Sequence, residues 1–263
     1  MFKTRLISGI ILVLVAFLTI NCGSYVLLAT LLCVSLIGMQ ELYRVMQVRK
    51  DGFQALELIS YGGIVLIYLL LLTENPVYPL MGVIASLILI MFVYVFSYPK
   101  FQASQIMAAF FGIVYVGVML SYIYQTRMLP GGRFHVWLIF LCSWGCDTCA
   151  YCVGVLFGKH KMAPVLSPKK SVEGAVGGVA GAVLLGIIYA NVTQGGILEY
   201  GIICGVGALI SMVGDLAASA IKRNQGIKDY GKLIPGHGGI LDRFDSVIFT
   251  APVIYYLSLF LIS

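Results

Sequence analysis

Nine apolar runs, each close to the thickness of a bilayer, constrain this chain more than any other feature in it. They fall near residues 6–22, 24–40, 57–73, 77–98, 104–124, 134–157, 174–192, 197–218 and 246–262. A transmembrane helix needs about 20 mostly apolar residues, with latitude for tilt, because the hydrocarbon layer is about 30 Å thick. Backbone N–H and C=O groups meet no water in that layer, so a run of this length must satisfy them internally, as a helix does. The expected fold class is all-α: a polytopic integral membrane protein of about nine transmembrane helices. Composition agrees, with 60% of residues hydrophobic and 11% charged, where soluble domains carry about a quarter charged residues. No polar stretch between the runs is long enough to hide a soluble domain.

Cations orient the expected spans. In a nine-span arrangement Lys3, Arg5, Arg44, Arg49, Lys50, Lys100, Lys159, Lys161, Lys169, Lys170, Lys222, Arg223, Lys228, Lys232 and Arg243 fall on one side, and only Arg127 and Arg133 on the other. The rich side is cytoplasmic by the positive-inside rule, which puts the N-terminus inside and the C-terminus outside. Eight spans would divide the basic loops between the two sides. The start, Met1 to Arg5 followed by Leu6 to Thr19, is signal-like but lacks a small-residue cleavage site, and reads as a retained first span. The expected division is residues 1–133, about five helices, and residues 134–263, a catalytic region with cytoplasmic loops 158–173 and 219–245. The net charge of +6 sits in short loops between apolar runs, which points to membrane orientation and anionic ligands and away from nucleic acid. Seven scattered cysteines imply no disulfide framework. Cys146, Cys149 and Cys152 are read as small packing residues in a helix, since closed zinc sites use paired cysteines on turns.

Charge is so scarce that its concentration between Ser211 and Ser246 marks a site. Ser211, Asp215, Ser219 and Lys222 recur at i, i+4, i+8 and i+11, one stripe of a 3.6-residue period, so a metal ligand and a cation share a helix face. Pro235-Gly236-His237-Gly238-Gly239 breaks the helix and offers amides that can turn onto an anion. Asp242 and Asp245, three apart, then face one way from the start of the next helix. Cations between spans are commonly just a solvated loop. A carboxylate inside an apolar helix is harder to explain that way, and both Asp215 and Asp147, the latter within Trp144-Gly145-Cys146-Asp147-Thr148, are in that position. Residues 158–173 add four lysines, Pro164 and Pro168, and hydroxyls at Ser167 and Ser171. Gly174, Gly177, Gly178 and Gly181 then form two GxxxG spacings suited to close helix packing. Glu41 and Arg44, a turn apart at the end of the second run, read as an interfacial pair or as neighbours of the site.

The run Ser219-x-x-Lys222-Arg223, Lys228-Asp229 and Pro235-Gly236-His237-Gly238-Gly239-x-x-Asp242-Arg243-x-Asp245 resembles the signature of the phosphatidate cytidylyltransferases, the CDP-diacylglycerol synthases. Ser167-Pro168-Lys169-Lys170 leading to Glu173-Gly174 resembles that family's second motif, with Ser171 where the family often has Thr and Val172 where it often has Trp. The resemblance covers Trp144 to Ser246 through motifs and the earlier part only through span layout. It implies transfer of a cytidylyl group from CTP to phosphatidate, giving CDP-diacylglycerol and pyrophosphate, with Mg²⁺ as cofactor. A second metal or a monovalent ion stays open. It further implies a homodimer among membrane lipids, here placed in a bacterial cytoplasmic membrane. Both substrates are polyanions, so metal and cations must let a phosphatidate oxygen approach the α-phosphorus. Asp215 and Asp242 are the first expected metal ligands, with Asp147 and Asp245 beside them. Lys222, Arg223, Lys169, Lys170 and Arg243 would neutralise phosphate. Ser167, Ser219, His237 and the amides of Gly236, Gly238 and Gly239 would contact it. A CTP-dependent lipid alcohol kinase and an ion-coupled transporter are the alternatives. The first differs in transferring the γ-phosphoryl group, and the second calls for internal repeats with broken helices, of which the sequence gives no sign.

Overall fold

The computed structural model describes residues 2–48, 54–73, 75–236 and 238–262, residues 2–6 by their backbone alone. Arg49, Lys50, the side chains of Lys3 and Arg5, and His237 lie outside the described residues. Nine helices follow one another among those described: α1 (Phe2–Cys22), α2 (Ser24–Val45), α3 (Ala55–Leu71), α4 (Val77–Phe96), α5 (Ala103–Met128), α6 (Gly132–Phe157), α7 (Val172–Thr193), α8 (Ile197–Asn224) and α9 (Leu241–Leu261). Seven are long and apolar enough to cross a membrane; α3 and the Ile7–Cys22 part of α1 are shorter apolar helices. The helices follow the apolar runs, with two informative departures. The helix expected to stop near 218 continues to Asn224, and the one expected from 246 begins at Leu241. The charged signature therefore rides on helix ends rather than on loop alone. A two-stranded antiparallel hairpin, β1 (Lys161–Ala163) and β2 (Ser167–Ser171), is a further addition to the all-α expectation.

The chain forms two compact units, Met1–Tyr124 with Asp229–Asp242, and Gln125–Lys228 with Arg243–Ser263. In the first, buried hydroxyls tie helices together. Tyr68 Oη and Ser35 Oγ are 2.8 Å apart, linking α3 to α2, and Tyr43 Oη donates to the Ala109 carbonyl at 2.6 Å, linking α2 to α5. Each such bond is worth about 0.6 kcal/mol in a membrane protein, because the unfolded chain in lipid also finds partners.

The second unit is built on small residues. Gly174, Gly178, Ala182, Gly186 and Ala190 are the buried face of α7, spaced four apart so that backbones can approach. A methyl at Gly178 would meet Cys146 Sγ at 3.0 Å and Ala150 Cβ at 2.9 Å on α6, while one at Gly186 would meet Cys204 Sγ at 2.6 Å on α8. Gly177 and Gly181 stand against Val153 and Cys149 of α6 in the same way. Cys146, Cys149 and Cys204 are thus packing residues, whereas Cys152 is exposed; all are free thiols. A π-helical turn, Leu141–Gly145, interrupts α6 immediately before Cys146 and Asp147. Such a turn inserts an extra residue and changes the phase of everything after it, Asp147 included.

Candidate active site

Three carboxylates and three cations meet in the second unit. Asp215, on the stripe of α8, is ion-paired through Oδ2 with Lys170 Nζ of β2. Its Oδ1 has the Ser219 hydroxyl at 3.5 Å, one turn further along the stripe. Asp245, in the second turn of α9, has Lys222 Nζ 3.9 Å from Oδ2 and accepts the Ser246 amide on Oδ1 at 2.8 Å. Asp147 has Asp215, Lys170, Arg243 and Ser246 as its polar neighbours, and Asp245 in turn feels the charges of Asp215, Lys222 and Asp147. Lys222 and Asp245 are each 8% exposed. Carboxylates removed from water this far are held only by opposite charge and hydrogen bonds. The matched count of acids and bases supplies that.

The hairpin explains which lysine takes part. Strand geometry sends successive side chains to opposite faces, and along β2 Lys169 is exposed while Lys170 is partly buried, paired with Asp215. The strand ends at Ser171, whose hydroxyl caps α7 by accepting the Gly174 amide at 3.1 Å. Glu173, in the first turn of α7, closes the other side: it accepts the backbone amides of Lys159 at 3.1 Å and His160 at 3.2 Å, and its Oε1 is 2.6 Å from His160 Nδ1. The Ser-Pro-Lys-Lys to Glu-Gly motif is therefore a device that fixes a hairpin onto a helix start, with Lys170 delivered to Asp215. Ser167 is half-buried at the opposite end of β2.

Arg243 is placed by its backbone: Trp144 Nε1 of α6 donates to its carbonyl at 3.3 Å, and its Nε is buried without a hydrogen-bond partner among the described residues. Ser211 Oγ, at the buried end of the α8 stripe, is likewise buried without a hydrogen-bond partner among the described residues. Arg223 is exposed, and its Nη1 donates to the Ile227 carbonyl at 3.0 Å, closing the turn after α8. The structure brings Asp147, Asp215, Asp245, Lys170, Lys222 and Arg243 together. It leaves Arg223 and Lys169 at the surface.

Asp242 and the glycine loop belong to the first unit. Asp242 Oδ2 accepts the amides of Tyr230 at 2.8 Å and Gly239 at 3.0 Å, so this carboxylate holds both ends of the loop. Gly236 and Gly238 have φ of 78° and 89°, a left-handed backbone that side chains disfavour. The Ile234 amide donates to the Gly238 carbonyl at 2.8 Å. Asp229 is exposed. The loop also uses Glu41 of α2, which accepts the amides of Ile240 and Leu241. Of the two readings of Glu41, an interfacial pair with Arg44 or a neighbour of the site, these loop contacts favour the second.

No three of His, Cys, Asp and Glu stand in ready coordination geometry among the described residues. The Asp147, Asp215 and Asp245 group still suits a hard divalent ion, since Mg²⁺ is commonly held by one or two carboxylates, waters and substrate phosphates rather than by an all-protein cage.

Comparison with known proteins gives one consistent answer. A phosphatidate cytidylyltransferase of Staphylococcus epidermidis is 31% identical over 268 residues, covering 97% of this chain and 98% of the relative. The Staphylococcus aureus enzyme of the same name is 32% identical over 261 residues and that of Staphylococcus saprophyticus 33% over 259, both with the same coverage. The model of the cytidylyltransferase family matches residues 3–261, and the chain belongs to that family.

Proposed function

We propose that this protein transfers a cytidylyl group from CTP to phosphatidate, releasing pyrophosphate and forming CDP-diacylglycerol, a step of phospholipid biosynthesis. The observation that carries it is the cluster of Asp147, Asp215 and Asp245 interleaved with Lys170, Lys222 and Arg243. Both substrates are polyanions whose reacting oxygens repel, and preorganised opposite charge is the largest contribution a site can make to bringing them together. A phosphatidate oxygen attacks the α-phosphorus, the bond to the bridging oxygen breaks, and pyrophosphate leaves. No covalent enzyme intermediate is needed, because the phosphate monoester is itself the nucleophile.

Lys170, Lys222 and Arg243 neutralise the triphosphate and the phosphatidate headgroup, with Lys169 and Arg223 attracting them from the surface. Ser167, Ser219, His237 and the amides of Gly236 and Gly238 supply hydrogen bonds, while the Gly239 amide is taken by Asp242. Mg²⁺ is assigned first to Asp215, with Asp147 and Asp245 beside it; when bound it supplies charge neutralisation and Lewis-acid polarisation of phosphoryl oxygens. Asp242 is the next carboxylate, three residues before Asp245 on the same helix. Its amide-held oxygen does not argue against that role, since ligating carboxylates are themselves usually hydrogen-bonded.

The catalytic residues are concentrated in 134–263, nine helices span the membrane, and the basic loops with the N-terminus face the cytoplasm of a bacterial cell, where CTP is made. The protein works there as a homodimer surrounded by lipid. The test is incubation of purified protein with CTP labelled at the α or γ phosphorus, phosphatidate and Mg²⁺. Label at α must enter the lipid and label at γ only pyrophosphate; γ-label in the lipid would replace this reaction by phosphoryl transfer.

A further inference from the structure

We infer that Glu41 is a positioning residue for this reaction: its carboxylate clamps the glycine loop and the first turn of α9 to the end of α2. The inference rests on the reading of that loop and turn as part of the nucleotide site. Glu41 Oε1 accepts the amide of Ile240 at 3.1 Å and Oε2 the amide of Leu241 at 2.9 Å, across about 200 positions of sequence. The side chain is buried, 4% exposed.

The loop's composition creates the need. The first amides of a helix lack intrahelical partners and are usually met by a Ser, Thr, Asp or Asn just before it. Here the helix is preceded by Gly238, Gly239 and Ile240, none of which has a side-chain acceptor. The cap therefore comes from another helix, and a negative charge is favourable at that end.

The loop is shaped around this carboxylate. A methyl on Gly239 would meet Glu41 Oε1 and Cδ at 2.5 and 2.6 Å, and one on Gly231 would meet Cδ at 2.8 Å. Neither glycine is in the left-handed region, so what excludes a side chain there is the Glu41 carboxylate and, at Gly231, also the Gly239 backbone at 3.1 Å. Asp242 fastens the same segment from within by taking the Tyr230 and Gly239 amides. Two carboxylates thus fix the loop, one from its own helix and one from α2. Asp242 takes its direction from that first turn, and a shift of about 1 Å in a reacting group can cost about 100-fold in rate.

The test compares the parent with Glu41→Gln in nanodiscs. Gln keeps the volume but offers one acceptor oxygen and turns an NH2 group toward the second amide. Amide exchange in the peptide spanning 231–241 should accelerate by at least about tenfold while that of α3 and α4 stays unchanged. The kcat should fall by roughly 30-fold with KM for CTP and phosphatidate within about threefold, since the lost interaction orients rather than binds. Gly239→Ala, which presses on the same carboxylate from the opposite side, should reproduce both effects. Combined with Glu41→Ala it should be no worse than the poorer single variant. Should Glu41→Gln fail to fold, Gly239→Ala and this pair carry the test alone. Unchanged exchange in the 231–241 peptide overturns the clamp. Faster exchange with parental kcat overturns the positioning role, as do fully additive losses in the pair. A parent with no turnover would overturn the proposed reaction instead, and the exchange measurement would still decide the clamp.

Discussion

Replacing Lys170 by Met should abolish most turnover, whereas the same change at Lys169, its neighbour in sequence, should matter little. The two side chains leave β2 on opposite faces, and only Lys170 reaches Asp215. Their pairing is about a quarter exposed at each partner, 25% and 24%, so it lies between two measured limits. Exposed pairs are worth about 0–1 kcal/mol, and removing one member of a fully buried pair costs about 3–5 kcal/mol. Screening at this exposure places Lys170→Met near 1–2 kcal/mol of stability, with Asp147 and Asp245 adding like charge to the abandoned Asp215. The cost to catalysis is larger, about 100-fold in kcat, or about 2.7 kcal/mol, the effect of removing one preorganised group from developing phosphoryl charge. Pyrophosphate release in mixed micelles gives the rate, and elution as a single species shows that the variant folds. Lys170→Arg, which keeps the charge, should retain more activity than Lys170→Met. A Lys169→Met protein slower than Lys170→Met, or a Lys170→Met protein within threefold of the parent, would refute the assignment of the inward lysine.

Asp215→Asn and Asp242→Asn keep shape and one acceptor oxygen but lose the charge a hard cation prefers, so turnover should fall by about 100-fold or more at any Mg²⁺ concentration, while exposed Asp229→Asn stays within about threefold; steady-state rates across a Mg²⁺ titration decide. Ser171→Ala removes the cap on the Gly174 amide and should lower stability by about 1 kcal/mol, read as an apparent melting midpoint a few degrees lower in detergent. For the topology, a cysteine at Pro130 should react with an impermeant maleimide in intact cells and one at Lys228 only after permeabilisation, both measured above the parent's labelling. The reverse pattern would put the charged loops on the wrong side for cytosolic CTP.

Local periodicity made much of this protein legible. The apolar runs gave the helices to within a few residues, and the stripe from Ser211 to Lys222 emerged as one face of α8 because a 3.6-residue repeat is a property of neighbours in sequence. The helix ends moved for a related reason. A hydropathy reading stops near 218, where the cations begin, but α8 continues through Ser219 and Lys222 because those side chains find partners in Asp215 and Asp245. The hairpin escaped notice since Ser167 to Ser171 is too short and too polar to show an alternation of apolar residues. Its pairing is stabilised at the ends, by Ser171 and Glu173, rather than by a buried face.

Glu41 carries two readings in the sequence, and the physics of helix ends shows what signal chooses between them. A carboxylate at the end of a span, three residues from an arginine, reads as an interfacial pair or as a neighbour of the site, and nothing in a window around residue 41 chooses between them. The signal lay about 200 positions away, in a helix that begins directly after Gly238-Gly239-Ile240. Once α9 is seen to start there, its first amides have no acceptor of their own. Burial makes that unaffordable unless some other part of the chain supplies one. Few acids are available in so apolar a chain, eleven in all, and Glu41 is one of seven outside the stretch from Ser211 to Ser246. A search for missing caps, made helix by helix, would have pointed to a long-range carboxylate before any coordinates, though not to which one. The contact that selects Glu41 is tertiary, set by the packing of the first unit, and it is visible only in the folded chain.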